Sequence, residues 1–273
     1  RNIYGLTGEV RTEWIDYLAV GDEAAFKKKA EFVYFVGCVA SLSSRAMGIA
    51  AATSRILTKL GLDWTLLNGE EECCGNPLLL SGKTDFATTL ANHNVSRIKE
   101  RRARVVVTSC PGCYRTLKQE YPRLIGDLGF EVCHISQILE DAMDRGKLKL
   151  QNRVEAILTY HDPCELGRHS GIYEPPRRIL ENVPGVVFVE LFHNRALTSC
   201  CGSGGLLKAT YPDIALKLGL KKVDEAHAVN ASILSSACPS CKLNLLDATS
   251  ERNDAVEILD LSEVVARALG LQS

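Results

Sequence analysis

Two sets of five cysteines with nearly equal spacing stand out in this sequence. Each set has a leading cysteine, an adjacent Cys-Cys pair followed by glycine, and a closing Cys-Pro-x-Cys motif. From the leading cysteine to the pair there are 34 intervening residues in the first set and 35 in the second. The first set is Cys38, Cys73, Cys74, Cys110 and Cys113, and the second is Cys164, Cys200, Cys201, Cys238 and Cys241. Of the eleven cysteines, only Cys133 stands outside this duplication, and its place in a predicted strand suggests a buried small hydrophobic residue.

Cysteines in this pattern are typical of metal ligands rather than of structural disulfides. A chain of 273 residues, 46% of them hydrophobic, can bury a core without the disulfides that small secreted domains need. Metal-binding thiols imply a reducing compartment. We therefore expect a cytoplasmic protein, and association with a membrane complex through partners stays open.

Five thiols are one more than a common metal site requires. A tetrahedral zinc ion takes four ligands, and so does a cubane [4Fe–4S] cluster. Neighbouring side chains in an extended loop point in opposite directions, so the two members of a Cys-Cys pair should reach different metal atoms. An enlarged or distorted iron–sulfur cluster fits this pattern. A four-ligand zinc or cubane site with a spare thiol is the alternative.

The sequence around the cysteines alternates between short apolar runs and helical patterns. This alternation predicts an α/β fold with two pseudo-symmetric, Rossmann-like domains and parallel sheets. We expect a connector over 1–31, with a helix over 12–20 that places Trp14, Ile15 and Leu18 on one face, and domains over 32–150 and 151–273. The predicted strands are 32–36, 64–67, 104–108 and 131–135, then 154–160, 186–191, 231–235 and 256–259. The main predicted helices are 44–60, 84–101 and 136–144, then 176–182, 212–225 and 262–269.

Each leading cysteine, each Cys-Cys pair and each Cys-Pro-x-Cys motif follows a predicted strand. Sites in open parallel sheets form beyond the carboxyl ends of the strands. The cluster-binding loops of each half should therefore meet at one edge of its sheet.

Composition argues against several other classes of protein. The formal net charge is −1, and no basic stripe with interleaved aromatic residues suggests a nucleic-acid partner. The apolar runs are far shorter than the roughly 18 residues of a membrane span, and no secretory signal is evident. The sequence begins at Arg1 rather than at Met, so the question whether residues precede Arg1 stays open.

The complete frame resembles a known family. Cys38…Cys73-Cys74-Gly75…Cys110-x-x-Cys113 and its repeat are similar to the duplicated CCG domains of the B subunit of heterodisulfide reductase and its fused relatives, over residues 32–270. The resemblance implies two noncubane [4Fe–4S] clusters, each with all five cysteines of its set as ligands, and a disulfide substrate between them. One cluster plus one zinc ion is the alternative, because many relatives have lost cysteines from one copy. The segment around Trp14 looks like the linker to a ferredoxin-like domain in the fused relatives.

The hypothesis is therefore a heterodisulfide-reductase-like redox subunit. Its expected partners are a ferredoxin-like iron–sulfur domain or subunit and a flavin-containing subunit in a larger complex. One alternative is a pure electron-transfer subunit of a dehydrogenase, a quinone-linked oxidase or an aromatic acyl-coenzyme A reductase complex. Another is a zinc-stabilised assembly scaffold. The roles of His161, His169, Lys83 and Lys208 stay open, as does the identity of the disulfide.

Overall fold

Short runs of β-branched and aromatic residues form parallel strands in both halves of the chain. The computed structural model describes residues 1–6, 8–17 and 23–271. It divides into two units between Ile138 and Leu139, unit 1 and unit 2. The strands of unit 1 are β1 (Phe32–Tyr34), β2 (Trp64–Leu66), β3 (Val105–Thr108) and β4 (Glu131–His134), and those of unit 2 are β5 (Ala156–His161), β6 (Val186–Phe188), β7 (Ile233–Ser236) and β8 (Glu257–Asp260). Each overlaps a predicted strand, and the predicted α/β fold is confirmed.

Both sheets have the same topology. Within the described residues the strand orders are β2-β1-β3-β4 and β6-β5-β7-β8, and every neighbouring pair is parallel. β2 lies on one side of β1, and β3 lies on the other side. β6 and β7 flank β5 in the same way. Such a reversal of strand order is where loops diverge and leave room for a ligand. The leading cysteines and the Cys-Pro-x-Cys motifs follow the strands on either side of this reversal.

Helices connect the strands in both units. The helices of unit 1 are α1 (Glu13–Tyr17), α2 (Cys38–Leu42), α3 (Met47–Lys59), α4 (Asn76–Leu80), α5 (Thr84–Glu100), α6 (Pro111–Arg115) and α7 (Tyr121–Ile125), and α8 (Ile135–Asp144) contains the boundary. Those of unit 2 are α9 (Glu174–Glu181), α10 (Leu207–Thr210), α11 (Pro212–Ala228), α12 (Pro239–Arg252) and α13 (Leu261–Ala268). No helix among residues 1–6, 8–17 and 23–271 combines the length and apolarity needed to cross a bilayer.

The N-terminal segment is part of unit 1. Trp14 and Ile15 are buried, and α1 packs against α3. The predicted helix over 12–20 forms as a short 3₁₀ turn, Glu9–Thr12, followed by α1. Leu18 and the remainder of that predicted helix lie outside the described residues.

Candidate metal centres

The first set of cysteines lies where the strands of unit 1 end. Cys38 follows β1 as the first residue of α2, and the Cys73-Cys74 pair lies in the loop between β2 and α4. Cys110 caps α6 directly after β3, and Cys113 lies inside that helix. The strand ends therefore bring all five residues to the same edge of the sheet.

The five thiols of the first set form one connected series. Cys38 is hydrogen bonded to Cys73, Cys73 to Cys74, Cys74 to Cys113, and Cys113 to Cys110. Hydrogen bonds from Cys113 and Cys73 lower the pKa of Cys74 to about 6. The contact with Cys38 lowers the pKa of Cys73, but its hydrogen bond to Cys74 and its burial raise that pKa to about 12. Ionisation of all five thiols together therefore requires added positive charge, which a bound metal supplies.

Backbone N–H groups also point at these sulfurs. The amide of Gly75 donates to Cys73 Sγ at 3.4 Å. The amide of Gly112, in the first turn of α6, donates to Cys110. Free N–H groups at the start of a helix stabilise negative charge, so these donors favour thiolates at both positions.

A buried arginine from the N-terminal segment contacts the first set. The Nη2 atom of Arg11 donates to Cys38 Sγ at 3.1 Å, and its Nη1 atom donates to Glu71 Oε1 at 2.8 Å. Glu71 also accepts hydrogen bonds from the amides of Val36 at 2.8 Å and Gly37 at 3.0 Å. Glu71 thereby joins the loop after β1 to the arginine. Sequence analysis did not identify Arg11, because it lies in the predicted connector, 27 residues from Cys38.

Each Cys-Cys loop is held by a buried asparagine that sequence analysis also missed. The Nδ2 atom of Asn94, on α5, donates to the carbonyl oxygen of Cys73 at 3.2 Å. The Nδ2 atom of Asn244, on α12, donates to the carbonyl oxygens of Cys201 at 2.6 Å and Ala215 at 2.8 Å. For Asn94, a polar residue on the apolar face of the predicted helix 84–101 was the signal available in the sequence.

The second set lies at the corresponding edge of unit 2. Cys164 follows β5, the Cys200-Cys201 pair lies in the loop after β6, Cys238 caps α12 directly after β7, and Cys241 lies inside α12. Cys201 Sγ is 3.2 Å from Cys241 Sγ. Cys200 contacts Cys201, and Cys241 contacts Cys238. Burial raises the pKa of Cys164 to about 11, with smaller effects from Cys238 and other charged neighbours. The structure therefore joins four thiols of the second set in one series and places Cys164 close enough to feel the charge of Cys238 and Cys201.

A buried histidine adjoins the second set. His161 is the last residue of β5. One of its ring nitrogens and the sulfurs of Cys201 and Cys241 all lie within 4.8 Å of one another. Contacts with Cys200 and Cys241 lower the pKa of Cys201, and His161 adds to this effect. Unit 1 has the buried Phe35 at the same distance before its leading cysteine. His161 is therefore a feature of the second set that the duplication does not repeat.

The neighbouring Asp162 stabilises the loop rather than contacting the sulfurs. Its two carboxylate oxygens accept hydrogen bonds from the buried guanidinium of Arg177 at 2.7 and 2.8 Å. The amide of Arg195 also donates to Asp162 at 2.7 Å. The Asp162 side chain therefore holds the turn between β5 and Cys164.

Solvent reaches the second set more easily than the first. The exposed fraction of Cys73 is 7%, because the N-terminal segment covers it and its amide donates to the carbonyl oxygen of Arg1 at 2.8 Å. Cys200, its counterpart, is exposed. A small molecule or a partner protein therefore has readier access to the second set.

The other candidates have ordinary surroundings. Cys133 lies in β4 as predicted, but its side chain is only partly buried, because β4 is at the edge of its sheet. Lys208 forms an ion pair with Asp247. Lys83 and His169 are exposed.

The chemistry of the donors in both sets fits a thiolate-bound metal group. All eleven cysteines are free thiols. Thiolate is the ligand of iron–sulfur clusters and zinc rather than of hard cations such as Mg²⁺. Buried sulfurs that receive backbone N–H bonds are prepared to carry negative charge beside a metal.

Comparison with known proteins agrees with this geometry. The sequence model of the cysteine-rich domain, CCG, matches residues 32–118 and 158–246. The D subunit of a dihydromethanophenazine:CoB–CoM heterodisulfide reductase from Methanosarcina acetivorans is 43% identical over an alignment of 274 positions, which covers 99% of this chain and 65% of that protein. A probable iron–sulfur-binding oxidoreductase FadF from Bacillus subtilis is 32% identical over 98% of this chain and 39% of its own length. An EtfAB:quinone oxidoreductase from Syntrophomonas wolfei is 29% identical over 98% of this chain and 39% of its own length.

The chain spans less than two thirds of the length of each of these three relatives. Both family matches include the leading cysteine, the Cys-Cys pair and the Cys-Pro-x-Cys motif of their set. The chain therefore belongs to the cysteine-rich domain family, CCG, and contains two copies of its domain.

Proposed function

We propose that each cysteine set binds one noncubane [4Fe–4S] cluster and that all five cysteines of a set are ligands. The observation that carries the proposal is the connected series of five thiols in the first set, which the second set repeats for four of its five thiols. In the first set, the two thiols of the pair are hydrogen bonded to each other, and each also has a partner of its own. That partner is Cys38 for Cys73 and Cys113 for Cys74. This supports ligation of different metal atoms by the members of one pair. A four-ligand site gives no reason for the fifth thiol to lie in the same series.

We further propose that the chain is the redox module of a larger oxidoreductase that reduces a disulfide. The similarity to the D subunit of a heterodisulfide reductase over nearly the whole chain supports this reaction. Bound clusters supply single electrons, and a disulfide requires two. In the first set Arg11 and backbone amides hold the sulfurs, and in the second the exposed Cys200 leaves one side open to a substrate. The electron donor would be an iron–sulfur domain or subunit of the same complex.

A pure electron relay is the second candidate function. The relatives from Bacillus subtilis and Syntrophomonas wolfei align with 98% of this chain and carry other oxidoreductase names. The same pair of domains therefore serves proteins not named as disulfide reductases. In a relay, the two centres would pass electrons onward without binding a disulfide.

Metal analysis tests the shared part of both candidates. Iron and acid-labile sulfide are measured on the full chain purified without oxygen, and two tetranuclear clusters require about eight iron atoms. Cys74→Ala and Cys201→Ala should each lower iron by about half, since each removes a ligand of one set. About two zinc atoms with little iron would support the zinc-stabilised scaffold and overturn the redox proposal.

Single-site variants separate the two candidates. With a strong reductant and the CoB–CoM heterodisulfide as substrate, Cys74→Ala and Cys201→Ala should each abolish turnover. The double variant should be no worse, because residues that act as a unit give non-additive losses. Steady turnover by one single variant, with its missing cluster confirmed by spectroscopy, would contradict the paired mechanism and favour the relay.

A further inference from the structure

We infer that Arg11 raises the reduction potential of the centre in the first set by stabilising the additional negative charge of its reduced form. The inference rests on the proposed function, because it assumes a redox metal centre on these cysteines. It assigns a positioning and electrostatic role to a residue of the N-terminal segment, outside the cysteine frame.

The position of Arg11 supports this role. The exposed fraction of the residue is 3%, and Nη2 donates to Cys38 Sγ at 3.1 Å. A hydrogen bond from a charged donor is roughly twice as strong as one between neutral groups, and it strengthens when water is excluded. Hydrogen bonds to the sulfurs are among the properties that set the potential of an iron–sulfur centre. Since reduction adds negative charge, a cation bonded to a ligand sulfur favours the reduced form.

The guanidinium is held in place by its other contacts. Nη1 donates to Ser41 Oγ at 3.2 Å and to Glu71 Oε1 at 2.8 Å. The 3₁₀ turn that carries Arg11 packs against α2, the helix that begins at Cys38. Little reorganisation is therefore needed when the charge of the centre changes.

The negative charge of Glu71 opposes the effect of Arg11 on the reduction potential but acts less directly. The Glu71 carboxylate is paired with the guanidinium and also accepts hydrogen bonds from the amides of Val36 and Gly37. Because Coulomb energy falls with distance, the group bonded to the sulfur has the larger effect. This opposition supplies a second test, since removing the glutamate charge should shift the potential in the reverse direction.

The two sets receive different donors. In unit 1 the side-chain donor is the permanently charged Arg11, whereas in unit 2 the imidazole of His161 contacts Cys201. An arginine remains protonated at every accessible pH. The electrostatic effect on the first centre is therefore constant.

The test is a redox titration of the first centre alone. The full chain with Cys201→Ala, which disables the second set, is purified without oxygen and titrated with dithionite while the paramagnetic signal is followed. Adding Arg11→Gln should shift the equilibrium at least tenfold towards the oxidised form, which is about 59 mV for one electron. Arg11→Lys keeps the positive charge and should shift the reduction potential by less than half as much. Arg101→Gln is the matched control, because Arg101 pairs with the neighbouring Glu70 at 2.5 Å, and it should leave the potential unchanged.

The outcomes distinguish this inference from the proposed function. Absence of iron in the unmodified chain would refute the proposed function itself. Equal potentials in the Arg11 and control variants, with the centre retained, would overturn only the role of Arg11. If Arg11→Gln loses its iron, the reduction potential of Glu71→Gln is measured instead. A higher potential than in the parent supports the inference, and an equal or lower potential overturns it.

Discussion

Replacement of Gly202 by alanine tests how closely the second Cys-Cys-Gly loop packs onto α11. Gly202 has φ of 91°, a left-handed conformation that costs other residues about 1–2 kcal/mol. An added Cβ would overlap the carbonyl oxygen of Ala215 and lie 2.9 Å from its Cα atom. Ala215 belongs to α11, so its backbone cannot move without disturbing helical hydrogen bonds. Overpacking of this kind adds about 1–3 kcal/mol. We expect Gly202→Ala to destabilise unit 2 by roughly 2–5 kcal/mol.

Two other glycines separate the conformational cost from the steric cost. Gly171 has φ of 72°, and no described atom lies within 4 Å of the position that an added Cβ would take, so Gly171→Ala should cost only the left-handed conformation. Gly75 is the counterpart of Gly202 in the first set, with φ of 88° and 3.4 Å between an added Cβ and that of Ala87. Gly75→Ala should therefore resemble Gly171→Ala more than Gly202→Ala.

The assay must report on unit 2 separately, because a chain of two units need not unfold in one step. Hydrogen exchange of amides in β5 and β7, measured against urea concentration, gives the free energy of opening for that unit. Iron content is measured in parallel, since displacement of the loop moves Cys201. If Gly202→Ala is as stable as Gly171→Ala, the inference that this loop packs too closely on α11 to admit a Cβ atom is wrong.

The remaining predictions concern a carboxyl group, a loop contact and the unmatched cysteine. Burial first, and then neighbouring charge, raise the pKa of Asp260 to about 7, so the folded state binds its proton more tightly than the unfolded state, and stability should fall as pH rises from about 4 to 7. In urea titrations Asp260→Asn should lose this dependence and gain relative stability above pH 7; an unchanged profile would contradict the assignment. Asn244→Ala removes hydrogen bonds to Cys201 and Ala215, and should cost about 1–3 kcal/mol and lower iron in the second set, whereas full iron content would show that the loop is held otherwise. Cys133→Ala should leave iron unchanged and cost at most about 1–2 kcal/mol of unfolding free energy, and iron loss would place it among the ligands.

The strands were predictable because each is a short local pattern. β1 consists of aromatic and β-branched residues, and β3 consists of β-branched residues alone, which suits strands buried on both faces. α2 was not predicted. Its five residues, beginning at Cys38, have no helical periodicity, and the turn at Gly37, with φ of 78°, starts the helix. The helix therefore depends on the tertiary position of the leading cysteine rather than on local propensity.

The cysteines of the site were predictable, but the residues that support them were not. The cysteines repeat at fixed spacing, and their chemistry is evident from residue type alone. Arg11, Asn94 and Asn244 lie 27, 21 and 43 residues from the cysteines they contact. Only the fold brings them together, and each belongs to an element whose local pattern has another explanation, a connector or a helix.

The duplication therefore extends to the cysteines and to the asparagine that holds each Cys-Cys loop, but not to the other groups around the sulfurs. Cys38 receives a hydrogen bond from a buried arginine and lies under the N-terminal segment, whereas Cys201 adjoins His161 and its neighbour Cys200 is exposed. Two centres in equal surroundings would share a single electron equally. If both sets hold the proposed redox centres, the different surroundings would give them different potentials, so the first electron would reside mainly on one centre until the second arrives. In the proposed two-electron reaction, such a difference would set the order in which the centres are filled, and the more accessible set would be the one available for contact with a substrate.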